Sequence, residues 1–166
     1  MGQLRDRALS TAAEIVLEAV PRDAPDVLAL YDAFIREADG PLGDAVDLEA
    51  EIAAGPPADL VPPNGLFLLT RVGGEPAGIG GVRFLDTDVA EVKSMYVSPR
   101  HRGVGLGRRL LAELDRIAAE HDCRAVRLDT SDYLTEALGL YRAAGYREVP
   151  AYNQNTKASV WFERQL

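Results

Sequence analysis

The sequence has little of what extracellular and membrane proteins depend on. Cys123 is its single cysteine, so the chain can form no disulfide within itself. It has no run of about 18 apolar residues, the length that spans a bilayer. The first residues, Met-Gly-Gln-Leu-Arg-Asp-Arg, lack the apolar core of a signal peptide. We therefore expect a cytoplasmic protein with no membrane partner, in which Cys123 fills a small apolar gap rather than acting as a nucleophile.

Positive charge is also scarce. The net charge of −8 argues against a nucleic-acid partner, because nonspecific binding to nucleic acids needs a basic field. It also mildly disfavours acidic acceptors. The hydrophobic content of 47% and the charged content of 27% are ordinary for a globular protein. A chain of 166 residues predicts one domain, and we assign residues 1–11 to an N-terminal tail and residues 12–166 to that domain.

The hydrophobic pattern predicts strands and helices in the order β-α-α-β-β-β-α-β-α-β-β. Gly73-Gly74 and Asp86-Thr-Asp88 separate three apolar or alternating runs, which favours an antiparallel meander. This order is typical of an α/β protein with a mixed sheet. The predicted strands cover residues 13–20, 66–72, 77–85, 89–97, 125–130, 146–149 and 160–164. The first predicted helix begins at a cap on Asp23 or Asp26, and the other three cover residues 48–53, 107–121 and 135–144. Residues 38–47 are predicted as a loop.

The most informative segment is the Gly-rich turn that joins the third meander strand to the next helix. Gly103, Gly105 and Gly107 lie where that helix begins. A helix start carries unpaired N–H groups and partial positive charge, and glycines let a phosphate approach the backbone without a Cβ in the way. Arg102, Arg108 and Arg109 add positive charge beside it. The turn therefore predicts a site for a pyrophosphate.

Two common phosphate motifs fit this turn poorly. A nucleotide P-loop needs a Lys-Ser or Lys-Thr pair after the glycines, and neither pair follows them. A dinucleotide fingerprint needs G-x-G-x-x-G, but Arg108 occupies the third glycine position. Asp129 falls near the distance at which that motif places an acidic residue, so spacing alone leaves a dinucleotide open.

A third motif fits. Arg102, Gly105 and Gly107 form R-x-x-G-x-G directly after Met95-Tyr96-Val97. About 30 residues downstream, Leu128-Asp-Thr is followed by Ala137-Leu-Gly-Leu-Tyr-Arg-Ala-Ala-Gly-Tyr146. These two blocks, in this order and spacing, resemble the coenzyme A signature and the second half of the GNAT superfamily of N-acetyltransferases. The resemblance is specific over residues 89–149 and general in shape over residues 12–88.

The resemblance implies the GNAT fold, a mixed, mostly antiparallel central sheet of about seven strands flanked by about four helices. It also implies acetyl-CoA as co-substrate and no metal. In this family the strand that carries Met95-Tyr96-Val97 separates from the next strand, and the pantetheine arm lies in the gap. Unpaired N–H groups of such a strand can polarise the acyl carbonyl. The implied coenzyme-binding residues are Met95, Tyr96, Val97, Arg102, Gly103, Val104, Gly105, Leu106, Gly107 and Arg108.

Tyr141 is the residue that the resemblance assigns to protonation of the leaving thiolate. It occupies the tyrosine of the family's L-Y-x-x-x-G, here Leu140 to Gly145. A phenol has a pKa near 10, close enough to that of a thiol for proton donation. Leu138 and Tyr141 are three residues apart, so ordinary packing on a buried helix face is the alternative. The sequence departs from the family at Leu134, where many members carry an asparagine that contacts the coenzyme.

Glu91 is the candidate base. An alkylammonium group with a pKa near 10.4 is neutral in about one molecule in 2,500 at pH 7, so a base offsets part of a cost of about 4.6 kcal/mol. Glu91 precedes Met95 by four residues, which resembles the placement of the catalytic glutamate in the histone-acetylating branch. A solvated strand residue paired with Lys93 or Arg83 is the alternative. His101, Tyr133 and Tyr152 are weaker candidates for a place in the site.

We expect an acetyl-CoA-dependent N-acetyltransferase that moves an acetyl group to the primary amine of a small molecule by direct attack. Arg83 and Lys93 near Glu91 hint at a small zwitterion such as an amino acid. A protein N-terminus or lysine is the enzymatic alternative, and a non-catalytic acyl-CoA-binding regulatory module is the alternative from another class. The sequence also leaves open whether the protein forms a homodimer.

Overall fold

The computed structural model describes residues 12–38, 47–86 and 88–166. The tail predicted over residues 1–11 lies outside the described residues, as does most of the loop predicted over residues 38–47. The remaining predicted elements appear in the predicted order. The strands are β1 (Ile15–Val20), β2 (Gly65–Val72), β3 (Glu75–Phe84), β4 (Val89–Val97), β5 (Ala125–Thr130), β6 (Arg147–Val149) and β7 (Val160–Gln165); the α-helices are α1 (Pro25–Ala38), α2 (Leu48–Ala54), α3 (Leu106–Glu120) and α4 (Thr135–Ala143).

Small differences from the prediction have local causes. Helix α1 begins at Pro25, a residue whose fixed φ suits the first helical position. Asp26 therefore lies in the first turn rather than at the cap, and its carboxylate accepts a hydrogen bond of 2.7 Å from Arg71. Helix α3 begins one residue early, because Gly105 occupies the cap position in a left-handed conformation.

The described strands form one sheet of seven, in the order β1-β2-β3-β4-β5-β7-β6. All neighbouring pairs are antiparallel except β4 and β5, so the sheet is mixed and mostly antiparallel, as predicted. Each face buries a core of its own. Leu110, Leu111 and Leu114 of α3 pack in one core, and Val27, Tyr31 and Ile35 of α1 pack in the other.

Close approach of α3 to the sheet depends on a glycine in β3. A Cβ built on Gly80 would lie 3.1 Å from a methyl carbon of Leu114, nearer than side chains normally pack. The absent side chain lets the apolar stripe of α3 lie against the strand. This packing sets the position of the first turn of α3, where the phosphate site was predicted.

The parallel pair of β4 and β5 is short. Val89, Ala90 and Glu91 pair with residues 125–127, and the ladder then ends although both strands continue. Near this point β4 also bulges away from regular pairing with β3, since the register shifts between Ile79 and Gly81. Ser94, within the bulge, has a φ of 55°, an uncommon value for a residue with a side chain. The two strands therefore diverge and leave a cleft, as the resemblance implied.

The described ranges contain neither a candidate membrane-spanning helix nor a candidate metal cluster. None of the helices there is long and apolar enough to cross a bilayer. No group of three or more histidine, cysteine, aspartate or glutamate side chains in those ranges is placed to hold a metal ion.

Candidate active site

Two cavities open from the cleft between β4 and β5. The larger, of about 740 Å³, runs along the Gly-rich turn and the start of α4. The smaller, of about 560 Å³, lies between α1, α2 and the segment before β7. Met95, Tyr133 and Tyr141 are among the residues that line both cavities. The two spaces therefore adjoin, and a group bound in one can reach a group bound in the other.

The Gly-rich turn has the geometry of an anion site. Gly103 and Gly105 have φ values of 80° and 81°, and a Cβ built on either one meets no protein atom within 4 Å. The glycines thus permit a conformation that residues with side chains rarely adopt, and they leave the space beside the turn open. Gly105 caps α3, so the first N–H groups of that helix begin at this open space.

Gly107 has a different role from the other two glycines. A Cβ built there would lie 3.2 Å from a methyl carbon of Leu140 and 3.8 Å from the terminal methyl of Met95. The absence of a side chain lets α3 approach α4 closely. Gly107 therefore shapes the cavity between these helices.

The cavity brings together nearly all the residues that the sequence predicted for coenzyme binding. Val104 is outside the lining, and its side chain is 68% exposed. Leu134, which replaces the family's asparagine, lines both cavities with an apolar side chain. The predicted residues that line the larger cavity are Met95, Tyr96, Val97, Arg102, Gly103, Gly105, Leu106, Gly107 and Arg108.

The Arg102 side chain is engaged by protein groups. Its Nε donates to the carbonyl of Val97 at 2.9 Å, and its Nη2 donates to both carboxylate oxygens of Glu37 at 2.7 and 2.9 Å. Sequence reasoning assigned its charge to the pyrophosphate, and Glu37 balances that charge. Arg108 and Arg109 are exposed like Arg102 but form no ion pair with any residue in the described ranges.

The edge of β4 that faces β5 has no ladder partner from Val92 to Val97 within the described strands. Backbone N–H groups on that edge can donate to a carbonyl oxygen that lies in the cleft. Met95 and Tyr96 lie on this part of the strand, and both line the larger cavity. The open edge therefore leaves room for the polarising role that the resemblance implied, which stays a prediction.

Tyr141 lies where the two cavities meet. Its side chain is 7% exposed and packs against the rings of Tyr146 and Phe162, with centroid distances of 6.1 and 5.9 Å. No described residue forms a hydrogen bond with its hydroxyl. Burial, and secondarily the charge of Asp129, raise the pKa of Tyr141 to about 12. The hydroxyl is therefore protonated at neutral pH and free to donate.

Glu91 is buried and already bound. It is 1% exposed, and it does not line either cavity. Its Oε1 lies 2.5 Å from Nη2 of Arg83, and its Oε2 accepts a hydrogen bond of 2.6 Å from the Tyr152 hydroxyl. Burial, followed by this bond to Glu91, raises the pKa of Tyr152. A proton leaving an acceptor amine therefore needs a relay to reach Glu91.

Asp129, unlike Glu91, lines the smaller cavity. It accepts hydrogen bonds from Lys93 at 3.0 and 3.2 Å, from Asn153 at 2.6 Å and from Asn155 at 3.1 Å. These bonds hold the segment before β7 against the end of β5. Sequence reasoning considered Asp129 only for its spacing from the glycines and missed both asparagines. The alternation Asn153-x-Asn155-x-Lys157 was the signal that could have drawn attention to them.

The weaker candidates are spread around the site. Tyr133 lines both cavities and donates to the carbonyl of Ala38 at 2.5 Å. His101 lines the larger cavity, with its Nδ1 2.9 Å from the Ser98 hydroxyl. Tyr152 contacts Glu91, as described above. Cys123 is buried in the core beside α3, and burial raises its pKa, which makes it a poor nucleophile.

This chain is similar to known acetyltransferases in sequence and in fold. Residues 26–146 match the model of the acetyltransferase (GNAT) family. An IAA acetyltransferase from Azospirillum brasilense is 33% identical over 134 residues, which cover 78% of this chain and 84% of that protein. A proposed acyl-CoA N-acyltransferase from Klebsiella pneumoniae has a TM-score of 0.74 at 27% identity, covering 92% of this chain and 97% of that one. The PaiA N-acetyltransferase from Thermoplasma acidophilum, solved in complex with coenzyme A, has the same fold, with a TM-score of 0.73 at 13% identity and coverage of 92% and 99%.

We predict that Gly105→Val abolishes the thermal stabilisation of this protein by acetyl-CoA. At about 100 times Kd, binding to the wild type adds about 2.7 kcal/mol, or about 5–10 °C in Tm for a domain of this size. Valine at this position would both disfavour the left-handed turn and fill the space beside it. Differential scanning fluorimetry with and without acetyl-CoA measures the effect.

Gly74→Val is the matched control. Gly74 has a φ of 86°, also has open space around a built Cβ, and lies in the turn between β2 and β3, away from both cavities. It should lower the Tm of the free protein as Gly105→Val does but keep the shift with acetyl-CoA. If acetyl-CoA raised the Tm of Gly105→Val as much as that of the wild type, the turn would not be part of the coenzyme site.

Proposed function

Since the chain belongs to the GNAT family of acetyltransferases, we propose that it moves the acetyl group of acetyl-CoA to the primary amine of a small molecule by direct attack. The observation that carries this proposal is the pair of adjoining cavities, with the Tyr141 hydroxyl where they meet. The larger cavity takes the coenzyme, and its phosphates lie against the turn at Gly103 and Gly105. The smaller cavity takes the acceptor. Coenzyme A bound to a fold neighbour supports this assignment of the co-substrate.

The reaction forms one bond and breaks one. The neutral amine nitrogen attacks the thioester carbon, N–H groups on the open edge of β4 stabilise the oxygen as it gains charge, and the C–S bond then breaks. Tyr141 donates its proton to the departing thiolate. Because the pKa of Tyr141 is about 12, the phenolate is a strong base, and it regains a proton as the new amide nitrogen loses one. No acyl-enzyme is needed.

The smaller cavity supports a small acceptor, and its charges differ from what the sequence suggested. Arg83 is bound by Asp59 and Glu91, and Lys93 is bound by Asp129, so neither cation is free for an acceptor. Glu51 and Lys157 also line this cavity and pair with each other across it, with side chains 26% and 39% exposed. This pair is more exposed than Lys93 and Asp129, so a zwitterionic acceptor can replace it by binding its own ammonium to Glu51 and its own carboxylate to Lys157.

The direct test is release of thiol from acetyl-CoA by the purified protein in the presence of a panel of amines. We expect the highest kcat/KM for small amines that carry a carboxylate, such as amino acids, and lower values for the same amines as amides or esters. A preference for peptides with a free N-terminus or lysine would indicate that the acceptor is a protein rather than a small molecule. Acetyl-CoA binding without turnover on any amine would contradict the proposed reaction.

We predict that Tyr141→Phe lowers kcat by about 100-fold and leaves the affinity for acetyl-CoA within about twofold, because only the proton donor is removed. The rate of the wild type should show no decline from loss of the Tyr141 proton below about pH 11, since its pKa is raised to about 12. Tyr31→Phe is the matched control: Tyr31 is similarly buried, its pKa is also raised to about 12, and it lines only the smaller cavity. Equal kcat values for Tyr141→Phe and the wild type would assign Tyr141 to packing.

We also propose that Glu91 takes the proton that the ammonium form of the acceptor loses before it attacks. Tyr152 lines neither cavity but donates to Glu91, so this proton reaches Glu91 through a water molecule, alone or with Tyr152. Glu91→Gln should then lower kcat/KM most near pH 7 and less near pH 9.5, where more of the amine is already neutral. The same change weakens one of the two charge-assisted contacts of Arg83, which keeps Asp59, so the free energy of unfolding should fall by about 1.5 kcal/mol. Asp59→Asn controls for loss of the other carboxylate bound to Arg83. A rate defect that is the same at both pH values would indicate that Glu91 only holds Arg83 and Tyr152 in place.

A further inference from the structure

A carboxylate lies in the wall of the cavity proposed for the polyanionic coenzyme. Glu37 is one residue before the end of α1, and it lines the larger cavity beside the Gly-rich turn. A carboxylate at this place repels phosphate groups that bind near it. We therefore expect its contacts with the turn to serve a structural role that outweighs this repulsion.

The contacts of Glu37 show what it holds. It accepts two hydrogen bonds from Nη2 of Arg102 at 2.7 and 2.9 Å, and one from the Tyr96 hydroxyl at 3.1 Å. Burial, and secondarily the Glu37 charge, raise the pKa of Tyr96, so this hydroxyl stays protonated and continues to donate. One carboxylate thus binds both the last part of β4 and the residue at which the Gly-rich turn begins.

Arg102 is held from three directions. Besides its bonds to Glu37, its Nε donates to the Val97 carbonyl at 2.9 Å, and its guanidinium carbon lies 5.5 Å from the centroid of the Tyr96 ring. Gly103 follows directly, with its left-handed φ. The guanidinium therefore joins the end of α1, the end of β4 and the start of the turn. One guanidinium that binds a carboxylate through Nη2, binds a carbonyl through Nε and lies over an aromatic ring depends on arginine geometry as well as on charge.

We propose that Glu37 is a positioning residue for the coenzyme: through Arg102 it holds the turn from Gly103 to Gly105 in the conformation that binds the pyrophosphate. This inference rests on the proposed use of the larger cavity for acetyl-CoA. It predicts a change in Kd opposite in direction to the change expected from charge alone. Removing a negative charge beside a polyanion should tighten binding, whereas removing the group that holds the turn should weaken it.

The experiment measures Kd for acetyl-CoA by isothermal titration calorimetry in the wild type and in Glu37→Gln. We expect Kd to rise about fivefold in Glu37→Gln, because a partly exposed, charge-assisted pair is lost. The KM for acetyl-CoA should rise in parallel, while kcat at saturation and the KM for the acceptor stay within about twofold. An unchanged or lower Kd in Glu37→Gln would overturn the proposal.

Glu136→Gln is the matched control. Glu136 lines the same cavity at the start of α4, is exposed, and forms no ion pair with any residue in the described ranges. Its neutralisation should leave Kd unchanged or lower it, which is the effect of charge alone. A rise in Kd equal to that of Glu37→Gln would contradict a role through Arg102.

Two more variants separate positioning from a direct contact of Arg102 with phosphate. Arg102→Lys keeps the positive charge but lacks the second nitrogen that bonds the Val97 carbonyl while the first bonds Glu37, so a positioning role predicts a higher Kd. In an Arg102→Ala background, Glu37→Gln should cause no further rise, because the link is already broken. A further fivefold rise in that background would show that Glu37 acts independently of Arg102.

The outcomes distinguish this inference from the proposed function. Failure of the wild type to bind acetyl-CoA would overturn the coenzyme site itself. Tight binding by the wild type with equal binding by Glu37→Gln would overturn only the positioning role. Thermal unfolding without ligand reports whether Glu37→Gln remains folded. Tyr96→Phe is a milder change that removes one hydrogen-bond donor to Glu37, and it should raise Kd by about twofold.

Discussion

The early end of the parallel ladder between β4 and β5 is the constraint on which the site depends. Three residues of each strand pair, and the strands then separate while each keeps its other neighbour, β3 or β7. Separation leaves backbone donors of β4 facing the cleft, and such groups need a partner. A ligand with an extended amide-bearing arm, such as pantetheine, can satisfy them by lying between the strands. Such a ligand would offset the cost of the incomplete sheet.

The groups around the cleft follow from this opening. Helix α4 enters from one side and brings Tyr141 to the junction of the cavities, where burial raises its pKa and keeps its hydroxyl protonated. The Gly-rich turn closes the other end and presents the start of α3. Glu91, on the paired part of β4, is instead enclosed by Arg83 and Tyr152. Glu91 therefore lies on the paired part of β4, apart from the open edge that lines the cavities.

Charge pairing explains a second feature of the site. Cations that the sequence suggested for ligand recognition are bound to carboxylates of the protein: Arg83 to Asp59 and Glu91, Lys93 to Asp129, and Arg102 to Glu37. Pairing compensates for burial of these groups but leaves less free charge for ligands. Under the proposed function, the groups left to attract phosphate are the backbone N–H groups of the turn and the exposed Arg108 and Arg109.

Local patterns predicted most of the fold and part of the site. Period-two and helical spacing identified each strand and helix of the described ranges, and the glycine spacing identified the turn, because each of these signals lies within one short segment. The partners of Glu91 could not be predicted in full. Cross-strand register brings Arg83 to it, and the segment before β7 brings Tyr152 from 61 residues away. The pair of Glu37 and Arg102 joins residues 65 positions apart, and no local pattern marks such a contact.

The central claim is that the thioester lies between the diverging strands, with Tyr141 at its sulfur. A crystal structure of the protein with acetyl-CoA tests this most directly. We expect the sulfur within about 3.5 Å of the Tyr141 hydroxyl, the pantetheine arm along the open edge of β4, and the pyrophosphate on the N–H groups that follow Gly103. A pantetheine arm bound outside the cleft, or β4 and β5 paired beyond Glu91 in the complex, would contradict the account.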